Sequence, residues 1–168
     1  YPDLKTQQTS VSVLYKKRNY APVWYDEKGL LAFARLLYTK VNAIEEEGLN
    51  ANIAYKDKID EIFDSNTKAN VSQTDTELLL SSMYLFYVQK VFNGIDTQKI
   101  REIGWFLPRK TLSYSTLLDS LIDNPKLLNK NEKQLFKQYY KLREALKKYR
   151  QIEKRGSCAN VQQYFREL

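Results

Sequence analysis

Leu30, Ala34, Leu37, Val41 and Ile44 recur at alternating steps of four and three, the spacing that puts apolar side chains on one face of an α-helix. Gly48 follows and is placed to end that helix in the left-handed conformation. Glu45, Glu46 and Glu47 crowd the same end, where the helix dipole disfavours negative charge. They read as a solvated helix end, with a cation site as the alternative. Upstream, Val11, Leu14 and Tyr15 suggest a short helix closing on Lys16-Lys17-Arg18, cations suited to the negative end of its dipole. Pro22 disfavours helix at Ala21, so residues 18–24 read as a turn. Residues 1–10 are polar and aperiodic and read as an extended arm. Tyr55 to Phe63 predicts a third, shorter helix, and Asp64 to Gln73 a polar loop.

A long helix is expected next. Thr74 is its predicted N-cap and Glu77, three residues on, completes a capping box. Leu78 to Phe92 is apolar on nearly every side, which in a soluble chain means a helix surrounded by other helices. Asn93-Gly94 closes it. A connecting stretch carries Trp105-Phe106-Leu107-Pro108-Arg109, where Pro108 argues against a central strand. Leu112 to Ile122 predicts a further helix, stopped near Asn124-Pro125. The last helix, Asn131 to Ile152, places Leu135, Tyr139, Leu142, Leu146 and Tyr149 on one stripe at heptad spacing. That stripe reads as packed in a bundle, with a dimer interface as the alternative, and Gly156 ends the helix. Period-two alternation is scarce, so the fold class is all-α: an irregular bundle of about six or seven helices around a buried central one.

Composition narrows the chemistry. The 168 residues are 43% hydrophobic, enough for one domain with a core of its own. No apolar run approaches the roughly 18 residues of a membrane span, and Tyr1-Pro2-Asp3-Leu4-Lys5 is not a signal peptide. There is no histidine, which removes Ser-His and Cys-His catalysis and every His-ligated metal site. No Asp-x-Asp-x-Asp-Gly loop and no glycine-rich phosphate loop occurs. No catalytic residue, metal ligand or cofactor is therefore expected. Cys158, the single cysteine, reads as an incidental thiol.

Charge adds one feature. Of the net +7, Lys130 to Arg155 carries ten Lys/Arg against three Glu, so the excess sits on the last helix. Lys137, Lys141, Lys148 and Arg155 recur at steps of four or seven and share one helical face. That face is either a solvated surface or a contact for an anionic partner. Nucleic acid is disfavoured, because the tyrosines fall mostly on apolar stripes and no reader motif accompanies the cations.

The order of these elements resembles the scaffold region that precedes the catalytic domain in large Gram-negative L,D-transpeptidases. Tyr15-Lys16-Lys17-Arg18-Asn19-Tyr20-Ala21-Pro22-Val23-Trp24 is similar to that family's opening motif, an aromatic followed by Arg-Asn and a Pro-x-Trp. Gly48-Leu49-Asn50 with Tyr55 resembles its Gly-Leu element. Thr76-Glu77-Leu78-Leu79-Leu80 with Tyr84, ending at Gly94, resembles its central helix. Trp105 and Pro108 match its Trp-x-x-Pro segment, and Tyr149-Arg150 followed by Gly156 its close. The chain departs from the family at Gly156-Ser157-Cys158-Ala159, where a Gly-Trp-Pro segment is common. The family's catalytic Ser-His-Gly-Cys motif is absent, so no nucleophile role passes to Cys158. The resemblance implies a non-catalytic positioning domain over residues 11–156, with 157–168 as a tail toward a downstream catalytic domain. It implies a periplasmic parent, anchored to the inner membrane by a segment outside this chain, that cross-links or remodels peptidoglycan through a cysteine. The partners implied are that catalytic domain, peptidoglycan and cell-wall synthesis proteins. The alternative is a stand-alone helical adaptor or dimerisation module binding an anionic partner. Arg18, Pro22, Trp24, Gly48, Tyr55, Gly94, Trp105, Pro108, Tyr149 and Arg150 are expected to serve mainly the structure.

Overall fold

A computed structural model describes residues 1–64, 71–93, 113–130 and 137–154. The first residues are helical, not an extended arm. A 3-10 helix over Pro2–Gln7 runs directly into α1, Gln8–Lys16. Pro2 opens it because a first-turn residue needs no N–H partner and proline's fixed φ suits a helix. Its start is pinned to a later segment: the Tyr1 and Tyr55 rings meet edge to face at 4.8 Å, and Asp3 N–H donates to the Tyr55 hydroxyl at 3.3 Å. Sequence polarity hid this helix because no side chain of the 3-10 segment is buried.

A turn over residues 17–24 leads into a hairpin of β1, Tyr25–Asp26, and β2, Gly29–Leu30. They pair antiparallel, Tyr25 opposite Leu30 and Asp26 opposite Gly29. The Asp26 carboxylate accepts from Lys28 N–H at 2.8 Å across the tip, and Gly29 takes a φ of +110° that side chains resist. Helix α2, Ala32–Asn42, buries Phe33, Ala34, Leu37 and Val41. It stops at Asn42, earlier than expected, and a 3-10 turn over Ile44–Glu47 continues the chain. Gly48, at φ +76°, caps that turn rather than α2, its N–H bonding Glu45 O at 2.9 Å.

Helix α3, Lys56–Phe63, starts from Tyr55 in a left-handed conformation and buries Ile59 and Phe63. The Phe63 ring stacks on Tyr38 of α2 at 4.2 Å. Helix α4, Gln73–Val88, is the hub: every residue from Leu79 to Val88 is buried. It packs against α1, α2 and α3. Its N-cap is Ser72, not Thr74, because the Ser72 hydroxyl accepts from Asp75 N–H at 3.1 Å and contacts the Asp75 carboxylate at 2.7 Å. The cap therefore lies two residues earlier than sequence spacing suggested, and Glu77 falls inside the helix instead of closing the box. A π-helical turn over Gln89–Asn93 extends α4.

Helix α5, Tyr114–Asp123, is capped by Ser113 and buries Leu118 and Leu121. A short α6, Leu127–Lys130, follows, then α7, Lys137–Lys154. The architecture is the expected helical bundle around a buried central helix, with β1 and β2 the only strands among the described residues. The azimuth of α7 is a correction. Leu142 and Tyr149 of the heptad row are 71% and 72% exposed, while Leu135 and the Tyr139 side chain lie outside the described residues. Leu146 of the same row does lie on the half-buried side of α7, between Arg143 and Arg150. Arg143 Nη1 donates to Glu47 Oε1 at 3.1 Å, and the Arg150 guanidinium donates to Glu45 O. Glu47 thus pairs with Arg143, while the Glu45 and Glu46 side chains remain exposed, the solvated end expected of them. Arginine attraction to carboxylate and carbonyl oxygens, together with Leu146 against Gly48, sets which face of α7 turns inward.

Candidate functional site

The densest polar cluster lies where α4 meets the turn before β1. Glu77 sits one turn inside α4 with 8% of its surface exposed. A carboxylate in such a position needs donors, since burial without them costs several kcal/mol, about 1–3 for each group left unmet. Three are supplied by the first part of the chain. Oε2 accepts from Val23 N–H at 2.9 Å and from the Tyr15 hydroxyl at 2.6 Å. Oε1 accepts from Trp24 N–H at 3.0 Å. Ser81, one turn further along α4 and wholly buried, accepts from Trp24 Nε1–H at 2.9 Å and meets the Tyr15 hydroxyl at 3.0 Å. With its proton committed to Glu77, Tyr15 accepts from Ser81, and every donor in the cluster is used once.

Burial raises the Tyr15 pKa well above that of a free phenol, and its bond to the Glu77 carboxylate raises it further. Tyr15 therefore stays a neutral donor. Trp24 is wholly buried, its ring stacked on Phe33 at 5.9 Å and tilted against Tyr84 at 6.4 Å. The turn reaches this point through two consecutive residues with positive φ, Asn19 at +50° and Tyr20 at +60°. It is held by Tyr20 N–H to Tyr15 O at 2.8 Å and Ala21 N–H to Arg18 O at 3.0 Å. Pro22 is exposed and acts through its fixed φ, setting up Val23 to point its N–H at Glu77.

Arg18 ties the same turn to α5. Its guanidinium pairs with Asp119, which Lys17 Nζ also contacts at 3.1 Å. Tyr84 of α4 completes the link, donating from its hydroxyl to Tyr114 O at 2.7 Å. Its pKa is raised by burial first and by the Asp119 charge second. Three elements thus converge on one loop. Glu77 is 8% exposed and takes three donors from the chain itself, so the cluster holds backbone in place. Among the described residues no group of Cys, Asp and Glu could hold a metal ion.

A sequence model of the scaffold domain family matches residues 9–146. The chain belongs to that family. No curated protein and no solved structure matches it. The matched span takes in the Glu77 cluster whole, together with the α7 arginine that docks on Glu47, Arg143.

Within this scaffold domain the motif residues separate into groups. Arg18, Pro22 and Trp24 come together around Glu77 and Asp119. Gly48, Tyr55 and Arg150 serve packing: a Cβ at Gly48 would stand 3.3 Å from Leu146 Cδ2, Tyr55 anchors the N-terminal 3-10 helix, and Arg150 binds the acidic turn. Tyr149 faces solvent and has no inward structural part. Gly94, Trp105, Pro108 and Arg155 lie outside the described residues. Lys141 and Lys148 are exposed on α7; Lys137 starts that helix, with its side chain outside the description. Sequence reasoning missed Tyr15, Glu77, Ser81 and Asp119 as a set. The available signal was Glu77 itself, the acid that follows Asp75 into a helix apolar all round.

Proposed function

We propose that this scaffold domain positions the catalytic domain of a periplasmic L,D-transpeptidase during peptidoglycan cross-linking or remodelling. The observation that carries the reading is the opening motif from Tyr15 to Trp24. Its conspicuous residues are spent on fixing one loop: Trp24 and Tyr15 on Glu77 and Ser81, Arg18 on Asp119. A loop held this rigidly suits a mounting for another domain better than a surface that must adapt to substrate. The chemistry of acyl transfer belongs to the partner domain, because a thiol needs a neighbouring base to become a nucleophile at neutral pH and this chain has no histidine. Reading the coding sequence on both sides of this segment tests the proposal. A flanking domain with a Ser-His-Gly-Cys motif supports it, and in-frame removal of the scaffold domain then abolishes cross-linking while that domain is still made. Flanks without such a domain overturn it.

A further inference from the structure

Helix α7 presents to solvent a face that no other described residue covers. Leu142 is 71%, Tyr149 72% and Ile152 44% exposed. Leu142 and Tyr149 are seven residues apart and so lie within about 20° of one azimuth. Lys141 and Lys148, both exposed, form a parallel row beside them at the same spacing. Ala145 and Ile152 fall between the rows, each three residues beyond an apolar member and four beyond a lysine. The result is a narrow apolar ridge with cations along one border, ending at Glu153. The opposite side of α7 is engaged, with Arg143 on Glu47 and Arg150 on Glu45 O. The ridge therefore points away from the body.

We infer that the outward face of α7 lies on the surface of an anionic lipid bilayer. A convex ridge on a single helix matches a flat surface better than a groove. Tyrosine and lysine have the side chains for this boundary, an apolar stem or ring that enters and a polar end that stays among headgroups. Helix α7 carries seven Lys/Arg against two Glu, five of the chain's net +7, a charge that anionic headgroups would attract. An antiparallel twofold pair of α7 helices would lay each lysine row against its twin, so self-association through this face is opposed by like charge. The helix would lie in the plane and not cross it: no helix among the described residues is long and apolar enough to span a membrane.

The test is flotation of the 168-residue chain with vesicles of phosphatidylcholine alone and of phosphatidylcholine with phosphatidylglycerol. The chain should float with the anionic vesicles only, and raised salt should release it. Lys141→Glu with Lys148→Glu, and separately Leu142→Ser with Tyr149→Ser, should each weaken binding at least about tenfold. All four positions are exposed, so melting temperatures should match the parent. Tyr149→Trp gives a reading independent of those variants: its added emission should shift to the blue on anionic vesicles and be quenched by brominated acyl chains. Failure to float, flotation unchanged by both double variants, binding to purified sacculi but not to vesicles, or a dimer that Leu142→Ser with Tyr149→Ser dissolves would each overturn the inference.

Discussion

Replacing Glu77 by Gln separates the two roles this residue can hold. As the N3 residue of a capping box, Glu and Gln are equivalent, because either side chain reaches back to the same backbone N–H. As the acceptor for the turn before β1, they are not. The carboxylate presents acceptors to Val23 N–H, Trp24 N–H and the Tyr15 hydroxyl at 2.9, 3.0 and 2.6 Å. A carboxamide keeps one oxygen, best placed where Oε2 now takes two donors. Its NH2 then confronts Trp24 N–H, donor against donor, at a site where Trp24 is wholly buried. One unsatisfied buried N–H costs about 1–3 kcal/mol, and loss of charge assistance weakens the remaining two bonds. Together Glu77→Gln should destabilise the domain by roughly 2–4 kcal/mol. For a chain of this size that lowers the melting temperature on the order of 10 °C. Glu77→Ala, which strands all three donors, should cost more, roughly 3–5 kcal/mol. Urea unfolding followed by far-ultraviolet circular dichroism reads both, with an unchanged denaturant slope marking a true stability change. A Glu77→Gln midpoint equal to the parent's would refute the argument and restore the capping role.

Two further outcomes follow from the same contacts. Tyr15 and Tyr84 have pKa values raised above the ordinary 10.0 by burial, so the folded chain holds their protons where the unfolded chain releases them. Their contribution is complete below about pH 10 and declines as pH rises above it; Tyr15→Phe with Tyr84→Phe should flatten that decline in urea midpoints measured across the alkaline range, and an equally steep fall in the double variant would contradict the assignment. Gly48→Ala should destabilise by about 1–2 kcal/mol, because φ is +76° and the new methyl would press on Leu146 Cδ2 at 3.3 Å; a neutral result in the same unfolding assay would mean that neither strain nor the α7 contact is felt there.

What the sequence made legible was each helix with one apolar side. Ala34, Leu37, Val41 and Ile44 are all buried as their spacing requires, and the all-apolar run from Leu78 became the buried hub. Helix α7 shows the limit of the same reasoning. Periodicity says which residues share a face; it does not say which way that face turns. Leu142 and Tyr149 do lie in one row and point outward, while Leu146 of the same row turns inward beside Arg143 and Arg150, which find oxygens on the Ile44–Glu47 turn. Nothing local to residues 137–154 encodes that turn. Its three glutamates were visible, and so was the positive charge of α7, but pairing them requires knowing that two segments far apart in the chain meet.

Glu77 carries the argument one step further. Its offset from Thr74 matched a capping box, a rule that looks only three residues ahead, and that local match concealed a tertiary one. The information to decide was nevertheless present. A helix buried on all sides gives an acid no route to solvent, so Glu77 had to find donors from another segment or not ionise at all. A tight turn rich in unpaired N–H groups, forced by Pro22 and followed by an indole that also needs an acceptor, is the segment best able to supply them. Satisfying that one carboxylate fixes Tyr15, Val23 and Trp24 relative to α4 at once, and with Arg18 on Asp119 it fixes α5 as well. The segment from Tyr15 to Trp24 is therefore one half of a lock whose other half, Glu77 and Ser81, is found by asking where buried polar groups find their partners.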